Sequence, residues 1–210
     1  MVIDFDDWGY EYDCREKLVE LKEANPKFKV TLFTIPAKTD LEMLTWINIT
    51  NSTHPLGDWI ELAIHGWEHK DNYECSDWSE EDCAWVLDNP IIRTFFAKIF
   101  KAPGWQISDG CYEAIRKRGF IVADQKYNQS RRPLGLKLYE HEDFDSYHGH
   151  TWDCNCNNGI YEDWDNILTK VKEATEFQFV SEAVDGRAKG LQKVQDKDRP
   201  RNKSKKRPSK

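Results

Sequence analysis

The sequence predicts an α/β fold with a mainly parallel sheet, because strand-like and helix-like segments alternate along the chain. The strand-like segments are short runs of apolar, β-branched and aromatic residues, such as FKVTLFTI at residues 28–35 and WIELAI at residues 59–64. The helix-like segments between them follow residues that cap helices well, such as Asp40 and Ser108. A length of 210 residues favours a single folded domain.

The predicted strands are bounded by charged residues, proline or glycine. In chain order they cover residues 2–5, 28–35, 59–64, 97–102, 120–123 and 177–180, with residues 137–139 and 144–148 as further candidates. The predicted helices cover residues 14–24, 41–47, 83–87, 108–118 and 163–174. A capping box over residues 79–82 precedes the third helix, and Gly119 ends the fourth.

The composition is that of a globular protein rather than of a membrane, collagen-like or disordered chain. Hydrophobic residues make up 39% of the sequence, and no apolar run is long enough to cross a membrane. The opening segment MVIDFDDWGY lacks the basic and apolar regions of a secretory signal, so a cytoplasmic location is expected by default. In that setting the six cysteines are expected to be reduced, and the isolated pair Cys154 and Cys156 does not predict a zinc site.

The last part of the chain differs in charge from the rest. Residues 187–210 contain eleven Lys and Arg against two Asp, a net charge of +9, whereas the whole chain carries −7. Residues 1–186 therefore carry −16 and form the predicted folded domain, and residues 187–210 form a basic tail that is predicted to be disordered. An acidic domain is a poor candidate for binding nucleic acid, although the tail could contact a polyanion.

Carboxylates and histidines follow several of the predicted strands. In a parallel sheet the carboxyl ends of the strands meet at one edge, and active sites form there. The residues concerned are Asp6 and Asp7 after the first strand, His65 and His69 after the third, Lys101 after the fourth, Asp124 after the fifth, and His148 and His150 near the end of the chain. This set of side chains is typical of a catalytic metal site.

His65 and His69 have a spacing that suits one metal ion. If the chain is helical there, residues four apart lie on one face, with Cβ atoms about 5–6 Å apart. One carboxylate of Asp6 and Asp7 can complete a set of two histidines and one carboxylate, and the other is then available as a base. Successive side chains alternate along a strand, so we expect both carboxylates to reach the site only where the strand ends and the chain turns, helped by Gly9.

With these residues in place, the sequence resembles the polysaccharide deacetylase family of metal-dependent carbohydrate esterases. The family motif T-F-D-D-G is matched by DFDDWG at residues 4–9, and H-[ST]-x-x-H is matched by HGWEH at residues 65–69. The motif R-x-P-x-G resembles KAPG at residues 101–104, and the motif L-x-H resembles HGH at residues 148–150. The resemblance covers residues 2–180 in the family's order and implies a distorted (β/α) barrel of about seven mainly parallel strands.

The resemblance also implies a reaction. An acetylated carbohydrate would lose its acetyl groups, N-acetyl groups in the first place, through attack by water bound to one divalent metal ion, most commonly zinc. Asp7, His65 and His69 would hold the metal. Asp6 would be the general base, and His150 would be the general acid that protonates the leaving amine.

Lys101 stands where the family has an arginine that orients the base, and Asp124 would be either its charged partner or a loop cap. His148 competes with His150 for the role of acid and is otherwise a candidate for binding substrate. Asp4 and Gly66 differ from the family pattern, which has threonine at the first position and serine or threonine at the second.

Several aromatic residues adjoin these motifs and are candidates for binding a sugar. Indole rings present flat faces to the apolar faces of sugar rings, and their N–H groups can bond hydroxyls. The candidates are Trp8, Trp67, Trp105 and Trp152, together with Pro103 of the third motif. The alternative for each ring is packing in the core.

Three other functions fit parts of the sequence. HGWEH also matches H-x-x-E-H, the pattern of inverted zinc peptidases, in which Glu68 would be the base; Gly66 and the preceding strand argue against the long helix that this requires. A non-catalytic carbohydrate-binding barrel would keep the metal site without turnover. A polyanion-binding adaptor would use the basic tail. The sequence does not indicate an oligomeric state.

Overall fold

The computed structural model describes residues 1–124, 135–152 and 158–187, which form one parallel sheet with helices packed against it. The strands are β1 (Val2–Trp8), β2 (Val30–Thr34), β3 (Ile60–His65), β4 (Ile99–Lys101), β5 (Ile121–Ala123), β6 (Lys137–Tyr139) and β7 (Ser146–His150). The helices are α1 (Arg15–Ala24), α2 (Leu41–Thr53), α3 (Glu80–Leu87), α4 (Pro90–Phe95), α5 (Asp109–Arg118) and α6 (Trp164–Glu173). A last helical segment covers residues 180–187.

The sheet has the strand order β6-β5-β4-β3-β2-β1-β7, and every neighbouring pair of strands is parallel. It is curled, because Tyr139 on the edge strand β6 reaches Asp4 of β1 and donates a 2.8 Å hydrogen bond to its carboxylate. The ring of His141, which follows the edge strand β6, stacks on the ring of His148, which lies on the opposite edge strand β7. Their centroids are 4.9 Å apart. The predicted fold, a distorted barrel of about seven mainly parallel strands, is therefore confirmed.

Helices cover the outer face of the curled sheet. Leu18 of α1 and Ile167 of α6 pack with Ile3 and Phe5 of β1, as expected for amphipathic helices on a parallel sheet. The opposite face holds a second apolar cluster, in which Phe33 of β2 and its neighbours contact the segment at residues 180–187. This segment therefore closes the amino-terminal side of the barrel and leaves the carboxyl ends of the strands open.

Strand β1 is buried along its whole length and yet contains Asp4, Asp6 and Asp7. A strand buried on both faces is normally a continuous apolar run. Burying an ionised carboxylate costs free energy unless it is paired or binds a metal. These three carboxylates therefore mark β1 as the strand on which the site is built.

The helix caps predicted for α2, α3 and α5 are confirmed. The side chain of Asp40 accepts a 2.9 Å hydrogen bond from Met43 N at the start of α2, and Ser108 accepts one of 3.0 Å from Cys111 N at the start of α5. Ser79 and Asp82 form the predicted capping box of α3. Gly119 ends α5 with φ +70°, as a left-handed C-cap requires.

The prediction of a strand at residues 177–180 is wrong. Gln178 makes an isolated parallel bridge with Val2, and the chain becomes helical from residue 180. The change occurs because side chains take the backbone N–H groups that a strand would pair. Phe179 N donates to the Glu182 carboxylate at 3.0 Å, and Val180 N donates to the Thr31 hydroxyl at 3.1 Å.

Other predictions concern the chain as a whole. In the described ranges, no helix combines the length and apolar character needed to cross a membrane. Cys14, Cys75, Cys83 and Cys111 are buried free thiols. Cys154 and Cys156 lie outside the described residues, as does the predicted basic tail beyond Arg187.

Candidate metal centre and active site

The candidate site lies at the carboxyl ends of five strands, β1, β3, β4, β5 and β7. Parallel pairing places Asp6 of β1 opposite His150 of β7, and His65 of β3 opposite Lys101 of β4. Residues that are far apart in the sequence therefore meet at one edge of the sheet. Asp7 follows Asp6 at the same edge, and Asp124 follows β5.

Asp6 and Asp7 both face this edge because β1 is irregular near its carboxyl end. The register between β1 and β2 shifts between Phe5 and Trp8, and Asp7 has φ +69°. A left-handed conformation is strained for a residue other than glycine, and such strain is typical of functional sites. The irregularity lies inside the strand rather than in a turn after it, and Gly9 has an extended backbone.

Asp7, His65 and His69 form one group of potential metal ligands. Asp7 Oδ1 lies 3.3 Å from His65 Nε2 and 3.1 Å from His69 Nε2. The ligand atoms of the three residues all lie within 4.8 Å of one another. Burial opposes the charge on Asp7, but the two imidazoles outweigh it and hold the pKa of the carboxyl well below its usual range.

Neighbouring groups orient these three residues. The Lys101 carbonyl lies 3.2 Å from His65 Nδ1, so this nitrogen donates and leaves Nε2 facing Asp7. Trp152 Nε1 donates a 2.8 Å hydrogen bond to the other oxygen of Asp7. Such outer contacts fix the tautomer and the ring orientation that metal binding requires.

A divalent metal ion fits this group. Asp7 Oδ1 is buried and, within the described ranges, accepts no well-formed hydrogen bond, although the two imidazole nitrogens lie close to it. Two histidines and one carboxylate supply three ligands and leave a fourth position for water or substrate. The charge balance agrees, because the described residues of the site include four buried carboxylates, those of Asp4, Asp6, Asp7 and Asp124, and one buried ammonium, that of Lys101.

The segment between His65 and His69 is a loop, and the helical geometry considered for the pair is wrong. Gly66 and His69 have φ +62° and +49°, and such values end strand β3 without starting a helix. The loop instead brings the two imidazole rings together with centroids 5.1 Å apart. A Cβ atom on Gly66 would collide with the Glu74 carboxylate and lie 2.9 Å from the Pro103 ring, which explains glycine at this position.

Glu74 holds this loop and was not among the residues predicted from the sequence. Its carboxylate accepts hydrogen bonds from three consecutive backbone N–H groups, those of Trp67 (3.2 Å), Glu68 (2.8 Å) and His69 (2.8 Å). The backbone N–H groups of the loop thereby gain the hydrogen-bond acceptors that a helix would have supplied. An acidic residue shortly after a histidine motif is the only signal in the sequence, and it is not a specific one.

Lys101 is fully buried and connects Asp6 with Asp124. Its Nζ lies 2.9 Å from Asp6 Oδ2 and 2.7 Å from Asp124 Oδ2. Burial opposes the charges, but the pairing outweighs it, so the pKa of Asp6 and that of Asp124 are lowered and that of Lys101 is raised. Asp124 also accepts from the backbone N–H of His141, so it is both the partner of Lys101 and a loop cap.

His148 is held by carboxylates on both sides. Its Nδ1 lies 2.6 Å from Asp4 Oδ1, and its Nε2 lies 3.7 Å from Asp6 Oδ2 and 3.5 Å from Lys101 Nζ. Burial and Lys101 oppose a positive charge, but Asp6 and Asp4 outweigh them and raise the pKa of His148. Asp4, which stands in place of the family's threonine, therefore orients a histidine and also accepts from Tyr139.

His150 is half-buried and belongs to the same cluster. Its Nδ1 lies 3.0 Å from the side-chain oxygen of Asn158. The ligand atoms of Asp6, His148 and His150 lie within 4.8 Å of one another. The site therefore has two adjoining parts, one around Asp7 and the other around Asp6.

The predicted substrate-binding residues have different surroundings. Trp152 and Trp105 are 36% and 42% exposed, and Trp67 is half-buried with its ring 4.8 Å from that of Trp85. Trp8 is wrongly predicted to contact substrate, because it is fully buried in the cluster that β1 forms with α1. Pro103 is likewise buried against Gly66, so it shapes the loop instead of facing solvent.

The arrangement does not support the peptidase alternative. Glu68, which would be its base, lies on the loop and pairs with Lys70 at 2.7 Å. Its carboxylate belongs to none of the potential ligand groups among the described residues. The carboxylates that do approach the histidines come from β1.

No protein-family model matches the sequence, and no curated protein matches it. Solved structures match over most of the chain. A family 4 acetyl xylan esterase from Clostridium thermocellum, in complex with a cobalt ion, has a TM-score of 0.59 at 14% identity, covering 89% of this chain and 91% of its own. The Xyl-CE4 domain of a multidomain xylanase from the hindgut metagenome of Trinervitermes trinervoides has a TM-score of 0.53 at 19% identity, covering 89% and 90%.

The chain has the fold of the family 4 carbohydrate esterases. A mutant of a pseudoenzyme of this family also matches, with a TM-score of 0.52 at 15% identity over 87% of this chain and 66% of that one. Both an acetyl xylan esterase and a pseudoenzyme thus have this fold, so the fold alone does not decide whether a protein turns over substrate. The side chains at the open edge of the sheet must therefore decide the function.

We expect Lys101→Met to destabilise the protein by about 3–5 kcal/mol, because it leaves two buried carboxylates without their cation. The free energy of unfolding is measured by urea denaturation of the metal-free protein. Lys117→Met is the matched control, since Lys117 pairs with Glu80 at the surface and its removal is expected to cost less than about 1 kcal/mol. Equal losses for the two variants would contradict this account of Lys101.

We expect Glu74→Gln to weaken metal binding about 10- to 100-fold, because an amide cannot accept all three N–H groups of the histidine loop. The affinity for zinc or cobalt is measured by calorimetry with a competing chelator. Glu81→Gln, at an exposed position of α3, is the control and should bind metal as the wild type does. An unchanged affinity for Glu74→Gln would show that the loop keeps its shape without this carboxylate.

Proposed function

We propose that the protein is a metal-dependent carbohydrate deacetylase, which hydrolyses acetyl groups, in the first place N-acetyl groups, on a carbohydrate. The observation that carries this proposal is the different surroundings of two consecutive carboxylates. Asp7 contacts two histidines, whereas Asp6 contacts the buried ammonium of Lys101. Asp7 is thus suited to holding a metal, and the preceding Asp6 is suited to accepting a proton.

Asp7, His65 and His69 would hold the metal, for which zinc is the natural candidate with these ligands. A bound divalent ion would supply Lewis-acid chemistry, lowering the pKa of a water molecule and polarising the acetyl carbonyl. Trp152 holds Asp7 in position for metal binding, and the Lys101 carbonyl does the same for His65.

Asp6 is proposed as the general base. Lys101 fixes its Oδ2, while its Oδ1 is buried and has no hydrogen-bond partner within the described residues. The lowered pKa keeps the carboxylate ionised at neutral pH, so it can accept the proton of the attacking water. Asp124 also pairs with the Lys101 ammonium, so this ammonium is held between the carboxylates of Asp6 and Asp124.

His150 is proposed as the general acid. It is half-buried at the open edge of the sheet, with its Nδ1 3.0 Å from the side-chain oxygen of Asn158, and an imidazole at this edge can deliver a proton to the leaving amine. His148 has both ring nitrogens near charged groups and a side chain that is only 8% exposed. We assign His148 the role of positioning Asp6 and Lys101.

Exposed aromatic rings next to the site support a carbohydrate as the substrate. Trp152 lies beside His150, with ring centroids 6.1 Å apart, and stacks on Tyr12 at 5.5 Å. Trp105 follows the KAPG segment and is 42% exposed. Flat rings of this kind can hold a sugar while the acetyl group reaches the base.

A non-catalytic carbohydrate-binding barrel is the second candidate, because a pseudoenzyme of the same fold is among the similar structures. Such a barrel would bind metal and sugar without releasing acetate. Turnover therefore separates the two candidates.

We expect acetate release from N-acetylated oligosaccharides in the presence of zinc, and its loss when a chelator removes the metal. Asp6→Asn should bind zinc as the wild type does and lose at least about 100-fold in acetate release, since it keeps the shape of the base but not its proton affinity. Asp7→Ala and His65→Ala should instead lose tight zinc binding. A fully active Asp6→Asn variant would refute the assignment of the base, and a zinc-loaded wild type that releases no acetate from N- or O-acetylated glycans would favour the binding barrel.

We expect the two histidines of β7 to differ when the leaving group is varied. His150→Asn should slow release from an N-acetylated sugar about 100-fold or more, but it should affect an aryl acetate much less, because a phenolate leaves without protonation. His148→Asn should slow both substrates, since it disturbs the base. The ratio of the two rates in each variant is the measurement, and the opposite pattern would assign the acid to His148.

A further inference from the structure

A groove of about 680 Å³ lies beside the histidine loop and is separate from the metal centre. It is formed by the loop after β3, by the segment that follows the loop and by helix α3. Neither the three proposed metal ligands nor Asp6, Lys101 or His150 line it. The proposed function leaves this groove without a role.

Aromatic rings form one wall of the groove. Trp67 and Trp85 meet edge to face with centroids 4.8 Å apart, and Trp78 lies in the same wall. Trp85 and Tyr73 are 59% and 64% exposed. Large aromatic surface that is open to water on a groove indicates a ligand with apolar faces, and a pyranose ring is such a ligand.

The groove is also strongly acidic. Five carboxylate residues and one lysine line it, and the lysine, Lys70, is paired with Glu68 at 2.7 Å. Glu74 points into the histidine loop and Asp82 caps α3, so Asp71 and Asp77 are the exposed carboxylates that a ligand can reach, although Asp71 Oδ1 also accepts a 2.7 Å hydrogen bond from Tyr73 N. A field of this sign attracts a cation and repels a glycan that carries carboxylates.

We propose that this groove binds amino-sugar units with a protonated amine, that is, a stretch of the glycan that has already been deacetylated. The proposal rests on the proposed function, because hydrolysis of an N-acetyl group by water yields acetate and an amine, which is protonated in mildly acidic solution. The aromatic wall contacts the sugar rings, and Asp71 and Asp77 pair with the ammonium groups. The preferred substrate is then a partly deacetylated chain, whose finished part lies in the groove while an acetylated unit occupies the metal centre.

The test compares a hexamer of glucosamine with a hexamer of N-acetylglucosamine, titrated calorimetrically against the full chain at low salt. We expect the glucosamine hexamer to bind at least about tenfold more tightly, and its affinity to fall as salt is added. The double variant Asp71→Asn/Asp77→Asn should lose about three- to tenfold for the glucosamine hexamer only. Trp85→Ala should weaken both hexamers by a similar factor, because the aromatic wall serves either ring.

Two controls locate the binding. Asp58→Asn and Tyr161→Ala remove an exposed carboxylate and an exposed aromatic ring outside the groove and should leave both affinities unchanged. Asp7→Ala, which disables the metal centre, should keep the preference for the glucosamine hexamer. Because binding of this hexamer requires no acetate release, failure of the groove and failure of the deacetylase function give different results. Equal affinities for the two hexamers, or insensitivity to all three groove substitutions, would overturn the proposal.

Discussion

The buried ammonium of Lys101 is the group on which the rest of the site depends. Lys101 Nζ contacts the carboxylates of Asp6 and Asp124. The backbone carbonyl of Lys101 accepts a hydrogen bond from Gly66 N and faces His65 Nδ1. One residue of β4 therefore fixes Asp6, His65 and the start of the histidine loop. In a low-dielectric interior these contacts strengthen one another, and the loss of one leaves its partners unsatisfied.

The second constraint is the backbone of β1. A regular strand would place Asp6 and Asp7 on opposite faces of the sheet. The left-handed conformation of Asp7 removes this alternation, so that Asp7 meets His65 and Asp6 meets Lys101. The strain is stabilised from outside the strand, since Trp152 bonds Asp7 from the segment after β7. The different surroundings of the two consecutive carboxylates are thus a property of backbone geometry as much as of side-chain identity.

Much of the fold could be predicted because local signals agree with the tertiary structure. The alternation of strands and helices gives the parallel sheet, and side chains such as Asp40 and Ser108 start their helices as expected. The wrong predictions arise where contacts with residues distant in the sequence determine the local structure. Trp8 is drawn into the core next to α1, and Glu182 and Thr31 take the N–H groups that a strand at residues 177–180 would pair. The site residues could be proposed from motifs, but the pairing of Asp4 with His148 depends on two strands that lie far apart in the sequence.

The buried charges also bear on whether the barrel turns over substrate. A barrel that only bound metal and sugar would need Asp7 and the two histidines, but it would have no use for an ionised Asp6 beside Lys101. Buried ion pairs are costly to desolvate, and apolar residues in their place are often neutral or stabilising. Lysine lacks the bidentate fork of arginine, yet here Asp124 holds the ammonium from the other side and keeps it directed at Asp6. A network that costs free energy and leaves one oxygen of Asp6 without a hydrogen-bond partner among the described residues favours a protein that moves a proton at that atom.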